Sequence, residues 1–371
     1  MRRVFLASTF GVATFAFLSL AQQAPTSGPY KVLKTAKVGG AGGFDYVNAD
    51  EAGRRLYVAR RGPSRINVFN LDTLEPAGEI ADVGAHGAVV SPKSSHGFAS
   101  SKPVVMFDSK TLAPIKSIDV DGNPDGLFYD SFNDRVYVLS HSAPNATVIN
   151  AADGSIAGTI DLGGAPEQAA SDGKGHVYVD IEDKANIAVV DAKTLTVTAH
   201  YDLQGKGGVC AGLAMDAKNN ILFAACRNPQ NMVILNAGDG KILDVLPIGV
   251  GTDGAAFNPN TMEAFSSQGD GTLTVIKENS ATDFAVEQTV FTPQRAKTIT
   301  LDTKTGNLYL ITAEYGPTPA APPQPPAAAP PQPPTAAPPS GGERPGPPAF
   351  MRGPRPPMIP HSFQILEVGK D

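Results

Sequence analysis

The sequence predicts an all-β chain folded as a seven-bladed β-propeller, a closed ring of four-stranded sheets, and three observations carry that expectation. A short apolar strand with an aromatic recurs along the chain: Leu56-Tyr57-Val58, Gly97-Phe98-Ala99, Val136-Tyr137-Val138, Val177-Tyr178-Val179, Leu222-Phe223-Ala224, Glu263-Ala264-Phe265 and Leu308-Tyr309-Leu310. Positions 57, 98, 137, 178, 223, 265 and 309 are spaced by 41, 39, 41, 45, 42 and 44 residues, the period of a propeller blade. Polar turns recur at fixed offsets around each one. Finally, no stretch of about 10–15 residues sustains a helical period, which removes the α/β alternatives.

Each unit reads the same way. A first strand closes on a turn such as Asp50-Glu51-Ala52-Gly53 or Asp216-Ala217-Lys218-Asn219, and the aromatic strand follows. An alternating third strand such as Ile66-Asn67-Val68-Phe69 leads into an Asp-centred turn and a fourth strand. Examples of that turn are Leu71-Asp72-Thr73-Leu74, Asp108-Ser109-Lys110-Thr111 and Asp191-Ala192-Lys193-Thr194. One four-stranded sheet cannot cover both of its own faces, so the units must stack on one another.

The ends predict how the ring closes. Residues 30–38 read as an outer strand with nothing before it to pair with. The seventh unit has strands at 298–301 and 308–311, is interrupted, and resumes with a third strand at 362–368. Pairing the N-terminal strand with that last strand completes the blade and leaves no open sheet edge. Residues 30–315 and 362–371 are therefore one propeller, and residues 316–361 are an insertion holding 19 of the 33 prolines. Its Pro-Pro-Gln-Pro-Pro and Ala-Ala-Pro repeats favour polyproline II or disorder, as an inert surface loop or as a lid or docking segment.

Residues 1–21 read as a secretory signal peptide: Met1-Arg2-Arg3, an uncharged apolar run from Val4 to Ala21, and small Ser19 and Ala21 before the cut. Residues 22–29 are a short linker. The mature chain is expected to be periplasmic or secreted, without a membrane span, and monomeric. Its 42% hydrophobic content excludes a wholly disordered chain. The net charge of −6, or −8 once Arg2 and Arg3 are removed, argues against a nucleic-acid surface.

Equivalent positions of the repeat expose a candidate site. The first strands are anchored on Asp50, Ser91, Asp130, Asp172, Asp216, Asn258 and Asp302; five residues earlier lie Asp45, His86, Asp125, Glu167, Ala211, Asp253 and Lys297. Six of these seven are ionisable in a chain with only 18% charged residues, so the column is not arbitrary. First strands are innermost in a propeller, and the loops joining second to third strands open on the same face. One face would then gather Asp45, His86, Asp125, Glu167, Asp253 and Lys297 with Arg60, Arg61 and Arg227 around the channel mouth. This is either a hydrated, self-neutralising ring or a ligand site. Asp45, His86, Asp125, Glu167 and Asp253 could hold a divalent metal, with calcium, manganese and zinc all open. In a catalytic version a carboxylate or His86 serves as general base, and Arg60 or Lys297 stabilises anionic charge.

Other signals are weak. Gly39 to Gly43 precedes a strand rather than a helix, so it reads as a blade-to-blade turn and not a phosphate cradle. Asp119, Asp121, Asn123 and Asp125 have calcium-loop spacing, but Pro124 stands where the bend needs Gly. Haem-attachment, zincin, serine-hydrolase and Walker motifs do not occur. A hairpin pairing Asp216 with Asn220 also pairs Cys210 with Cys226, which predicts a structural disulfide in an exported chain. The alternative is a reactive thiol beside Arg227.

Tyr57-Val58-Ala59, Tyr137-Val138-Leu139 and Tyr178-Val179-Asp180, each before an Ile/Val-x-Val strand and an Asp-x-x-Thr/Gly turn, resemble the YVTN-repeat, YncE-like β-propellers. The resemblance covers residues 30–315 and 362–370. It implies a secreted or periplasmic seven-bladed propeller, commonly without an assigned reaction; the charged face then makes a binding or interaction module for a small ligand, peptide or cell-envelope protein the first reading. Relatives by fold include lactonases and quinoprotein dehydrogenases, so the alternative is a metal-assisted propeller enzyme, although no catalytic motif of either matches this chain.

Overall fold

The computed structural model describes residues 27–40, 42–143, 145–317 and 356–370. Within them, 28 strands and no helix form seven antiparallel sheets of four strands each. The segment 1–21 expected to be a signal peptide and most of the proline-rich insertion lie outside the described residues.

In blades 1–6 the strand order across each sheet follows the chain, as with Phe44–Asp50, Arg55–Arg60, Arg65–Asn70 and Pro76–Ile80 in blade 1. First strands of neighbouring blades pack on one another around the axis. Blade 7 joins both ends of the chain. Ile299–Asp302, Asn307–Thr312 and Gln364–Lys370 are its first three strands, and Tyr30–Lys37 is its outermost. The closing register runs from Tyr30↔Lys370 to Lys37↔Gln364, with an irregularity between Val32 and Lys34. The expected closure is therefore observed.

The core is a set of seams rather than one body. Alternating side chains of each sheet face the blade before and the blade after, so each apolar cluster is shared by two neighbours. Leu56, Val58 and Phe69 of blade 1, for example, pack with Tyr309, Ile311, Phe363 and Ile365 of blade 7. The seven repeating positions all lie in second strands and are at most 2% exposed. Several tyrosines add a polar link. Tyr178 Oη donates to Ala237 O at 3.0 Å and Tyr309 Oη to Leu71 O at 3.0 Å. In each case the acceptor is the turn before the next blade's fourth strand, so these two tyrosines tie their blades to the following ones.

Those turns are built by side-chain carbonyl groups accepting backbone N–H bonds, which substitutes for a continued ladder. Asp191 Oδ1 accepts from Lys193 N at 2.8 Å and Thr194 N at 2.9 Å. In blade 1 the acceptor is Asn70 rather than Asp72: its Oδ1 takes the amides of Asp72 and Thr73, each at 2.9 Å.

Cys210 and Cys226 form the expected disulfide. The register that produces it differs from the sequence reading. Asp216 pairs with Ile221, not Asn220, and one extra residue at Ala211 then shifts the ladder so that Cys210 faces Cys226. The closed loop of about 17 residues gives roughly 3 kcal/mol on the chain-entropy view. Replacing both cysteines by Ala should cost about that much in urea melts; an unchanged midpoint would show the bridge to be dispensable.

Candidate functional site: the charged channel mouth

The same irregularity recurs where four other first strands enter the mouth. The register jumps between Phe44 and Val47, Pro124 and Leu127, Pro166 and Ala169, and Thr252 and Ala255. Each jump sets two residues against one, at Asp45-Tyr46, Asp125-Gly126, Glu167-Gln168 and Asp253-Gly254. Such bulges bend a strand and re-aim a side chain. Here they carry all four acidic members of the column, and their carboxylates share one cavity.

The second bulge position shows how tightly the inner strands converge. A Cβ on Gly126 would lie 2.8 Å from Glu167 O, so no larger residue fits without moving backbone. Blade 1 places Tyr46 at this position, and it borders both the mouth cavity and a narrower hollow of about 180 Å³ below. Burial, reinforced by Glu167, Asp125, Asp253 and Asp45, pushes the Tyr46 hydroxyl well above its ordinary range, so it stays a proton donor.

The mouth cavity measures about 490 Å³ and takes side chains from all seven blades. Around it runs a chain of hydrogen-bonded charges. His86 Nδ1 lies 2.8 Å from Asp45 Oδ2 and 2.8 Å from Asp125 Oδ1. His141 Nε2 lies 3.0 Å from Glu167 Oε2 and 3.7 Å from Asp125 Oδ2. Arg227 Nη1 donates to Glu182 Oε1 at 3.1 Å, Nη2 pairs with Asp253, and Nε donates to Thr252 O at 2.8 Å. Lys297 also pairs with Asp253, and Arg61 reaches Asp45 Oδ2 at 3.4 Å.

These contacts set the protonation states. Hydrogen bonds to Asp125 and Asp45 raise His86 to about 9, and that to Glu167 raises His141 to about 9. Burial pushes Asp125 up, but His86, His141 and Arg61 outweigh it and hold the carboxyl below its usual range. Burial, with Asp253 and Glu182 nearby, leaves Glu167 raised despite His141 and Arg227. At neutral pH both imidazoles are therefore cationic in the metal-free chain, and cations and carboxylates of the ring balance.

Of the residues expected at the mouth, Asp45, Arg61, His86, Asp125, Glu167, Arg227, Asp253 and Lys297 line this cavity. Arg60 does not. It is 2% exposed, its guanidinium lies 4.0 Å from the Phe363 ring centroid, and it donates to Gly39 O at 3.3 Å. As the last residue of a second strand it packs into the closing seam, so the role of anion stabiliser does not fall to it. The expected metal set is also regrouped. Asp253 is engaged by Arg227 and Lys297, whereas His141, absent from that set, joins Asp125 and Glu167.

Three ionisable lining residues were not among those expected at the mouth: Tyr46, His141 and Glu182. His141 and Glu182 had a signal of their own. They stand four residues after Tyr137 and Tyr178, as Arg61 and Arg227 stand four after Tyr57 and Phe223. A second column, at or just past the end of the second strand in four of the blades, thus adds to the mouth.

A larger hollow of about 820 Å³ adjoins the mouth through Phe44, Gly251 and Lys297. It is bordered by the stems of the insertion, where Tyr315 bridges to Met358 and Arg295 lies 4.5 Å over the Tyr315 ring. Its lining is mainly Gly, Pro and apolar groups, whereas the ionisable side chains gather in the smaller cavity.

No protein-family model and no curated protein sequence matches the chain. Solved structures do match in shape. A chain from a crystal structure of a mitotic checkpoint complex superimposes with a TM-score of 0.65 at 11% identity, over 81% of this chain and 95% of that one. U3-55K superimposes with a TM-score of 0.61 at 9% identity, over 77% and 92%. The chain is a seven-bladed β-propeller. At these identities the likeness establishes the fold alone, and that fold is consistent with an interaction module.

Proposed function

We propose that the protein is an exported member of the YVTN-repeat, YncE-like propellers that works as a binding module, with its ligand in the charged mouth. One observation carries the reading: every blade sends an ionisable side chain into one cavity of about 490 Å³, a size suited to a small molecule. Groups of both signs line it, which favours a small zwitterionic or multiply charged ligand, or a short charged segment of a cell-envelope protein. Export is supported by the basic start, apolar run and small residues of positions 1–21. The disulfide, and the lack of any membrane-length apolar helix among the described residues, are compatible with it.

The test is a melting screen of chelator-treated mature protein against charged small molecules and envelope extracts. At least one class should raise the melting temperature of the native chain by several degrees and leave an Arg61→Glu/Lys297→Glu variant unmoved. A native chain that responds to none of them, or equally with and without the two cations, overturns the proposal. A second reading, a metal-assisted propeller enzyme of lactonase or dehydrogenase type, is favoured by the two His–carboxylate groups. There a carboxylate of the ring would serve as base beside Lys297 or Arg61, both imidazoles being protonated or engaged as ligands.

A further inference from the structure

The imidazoles and carboxylates of the mouth alternate in a way that simple charge balance does not require. Asp45, His86 and Asp125 form one group whose donor atoms all lie within 4.8 Å of one another; Asp125, His141 and Glu167 form a second. Asp125 is the member they share, and each of its oxygens faces a different imidazole. Its Oδ1 faces His86 at 2.8 Å while its Oδ2 faces His141 at 3.7 Å. A carboxylate with one oxygen turned to each of two nitrogen donors has the arrangement of a bridging ligand, which in two-metal sites holds ions roughly 3.5–4 Å apart.

The spacing within each group suits a small divalent ion. Metal–ligand bonds of about 2.0–2.2 Å in tetrahedral geometry place donor atoms roughly 3.4 Å apart. The separations of 2.8 Å about His86 and 3.0 Å between His141 and Glu167 need to open by about 0.6 and 0.4 Å, and that of 3.7 Å between His141 and Asp125 to close by about 0.3 Å. All five side chains are already turned into the cavity, on neighbouring inner strands and loops of blades 1 to 4.

We propose that Asp45, His86, Asp125, His141 and Glu167 hold a pair of divalent transition-metal ions bridged by Asp125. The inference deepens the assignment of the mouth as the ligand site and rests on it. One imidazole per ion selects zinc or manganese over calcium, which takes an all-oxygen shell. Each ion receives three protein donors, so each keeps at least one position open for water or for an oxygen-donor ligand. Among the charged neighbours, Asp253 and Glu182 are held by Arg227 and Lys297 and anchor the rim, whereas Arg61 reaches Asp45 Oδ2 only at 3.4 Å and Arg227 comes no nearer to Glu167 than 3.9 Å.

The test uses the full mature chain, stripped with chelator and titrated with Zn²⁺ or Mn²⁺, with bound metal counted after gel filtration. The native chain should retain two ions, His86→Ala one, His141→Ala one, and Asp125→Asn neither at the native affinity. Manganese-loaded native protein should give an exchange-coupled spin-resonance spectrum, and either histidine variant an uncoupled six-line spectrum. Should Asp125→Asn fail to fold, the two histidine variants decide the matter by themselves. Fewer than about 0.2 ions per native chain overturns the proposal; so does a single ion that one histidine variant loses and the other keeps. Because the ligand screen above is run on chelator-treated protein, ligand binding there with no metal uptake here would sink the ion pair and leave the binding module standing.

Discussion

Tyr30→Ala should lower the stability of the propeller by about 3–5 kcal/mol, the scale for deleting a large buried ring. Tyr30 is the first residue of the closing strand and is 3% exposed. Its ring stands edge-on to Phe265 of blade 6 with centroids 5.3 Å apart, and its hydroxyl donates to Glu263 Oε2 at 2.5 Å. Its backbone is held by Gln288 on both sides, with Tyr30 N donating to Oε1 at 3.0 Å and Nε2 donating to Tyr30 O at 2.8 Å. Glu263 is almost fully buried, so truncation removes one of the groups that answer its charge, leaving Lys370 at 2.7 Å as its ion-pair partner. Tyr30→Phe keeps the ring and removes one charge-assisted hydrogen bond, and should cost about 1.5–3 kcal/mol. At roughly 2–4 °C per kcal/mol, Tyr30→Ala should melt about 10 °C below the native chain. If instead it melts within a degree or so, the terminal strand does not fasten the ring.

The closure was legible because it depends on composition and order: an unpaired strand at one end, a missing strand at the other. Fold recognition drew on the same property. A repeat needs only its period to be read, and the burial of all seven aromatic rings in the seams gives that period a physical reason. What the sequence did not show was register. The disulfide was expected from an even pairing across the Asp216 turn, yet it forms because an extra residue at Ala211 offsets a different turn. Bulges are set by how inner strands crowd at the axis, and no local pattern at Asp45, Asp125, Glu167 or Asp253 announces them.

The site was half legible for a related reason. Counting back from the first turn found the inner column, since each carboxylate sits at a fixed distance from its anchor. Counting forward from each aromatic would have found Arg61, His141, Glu182 and Arg227 together. Arg60 was misplaced by one residue, which on a strand reverses the direction of a side chain: Arg61 faces the mouth and Arg60 the seam against Phe363. Which acid serves which base is a question of angle, not sequence. Asp125 outranks Asp253 as a candidate metal ligand only because Arg227 and Lys297 already engage the latter.

Arg227→Met should be the most damaging single change at the mouth, costing roughly 3 kcal/mol at pH 8, toward the lower end for breaking a buried pair because the side chain keeps some exposure. The guanidinium answers Asp253 and Glu182 directly, lies 3.9 Å from Glu167, and caps Thr252 O. Cys226 precedes it, so the disulfide holds the strand that aims it. Methionine keeps much of the apolar stem and leaves three carboxylates facing one another with Lys297 alone among the ring's permanent cations beside Asp253. The sign of the pH dependence follows from Glu167, whose pKa burial already raises and which loses a lowering neighbour in the variant. A carboxyl whose folded pKa lies above its unfolded value favours the fold when protonated and loses that advantage as pH rises through the folded value. The deficit of Arg227→Met should therefore be full at pH 8 and shrink as pH falls below the range where Glu167 and its neighbours ionise. Urea melts of both proteins from pH 4 to 8 measure it. A deficit constant over that range would mean that Arg227 acts by packing and not as the counter-charge of the mouth.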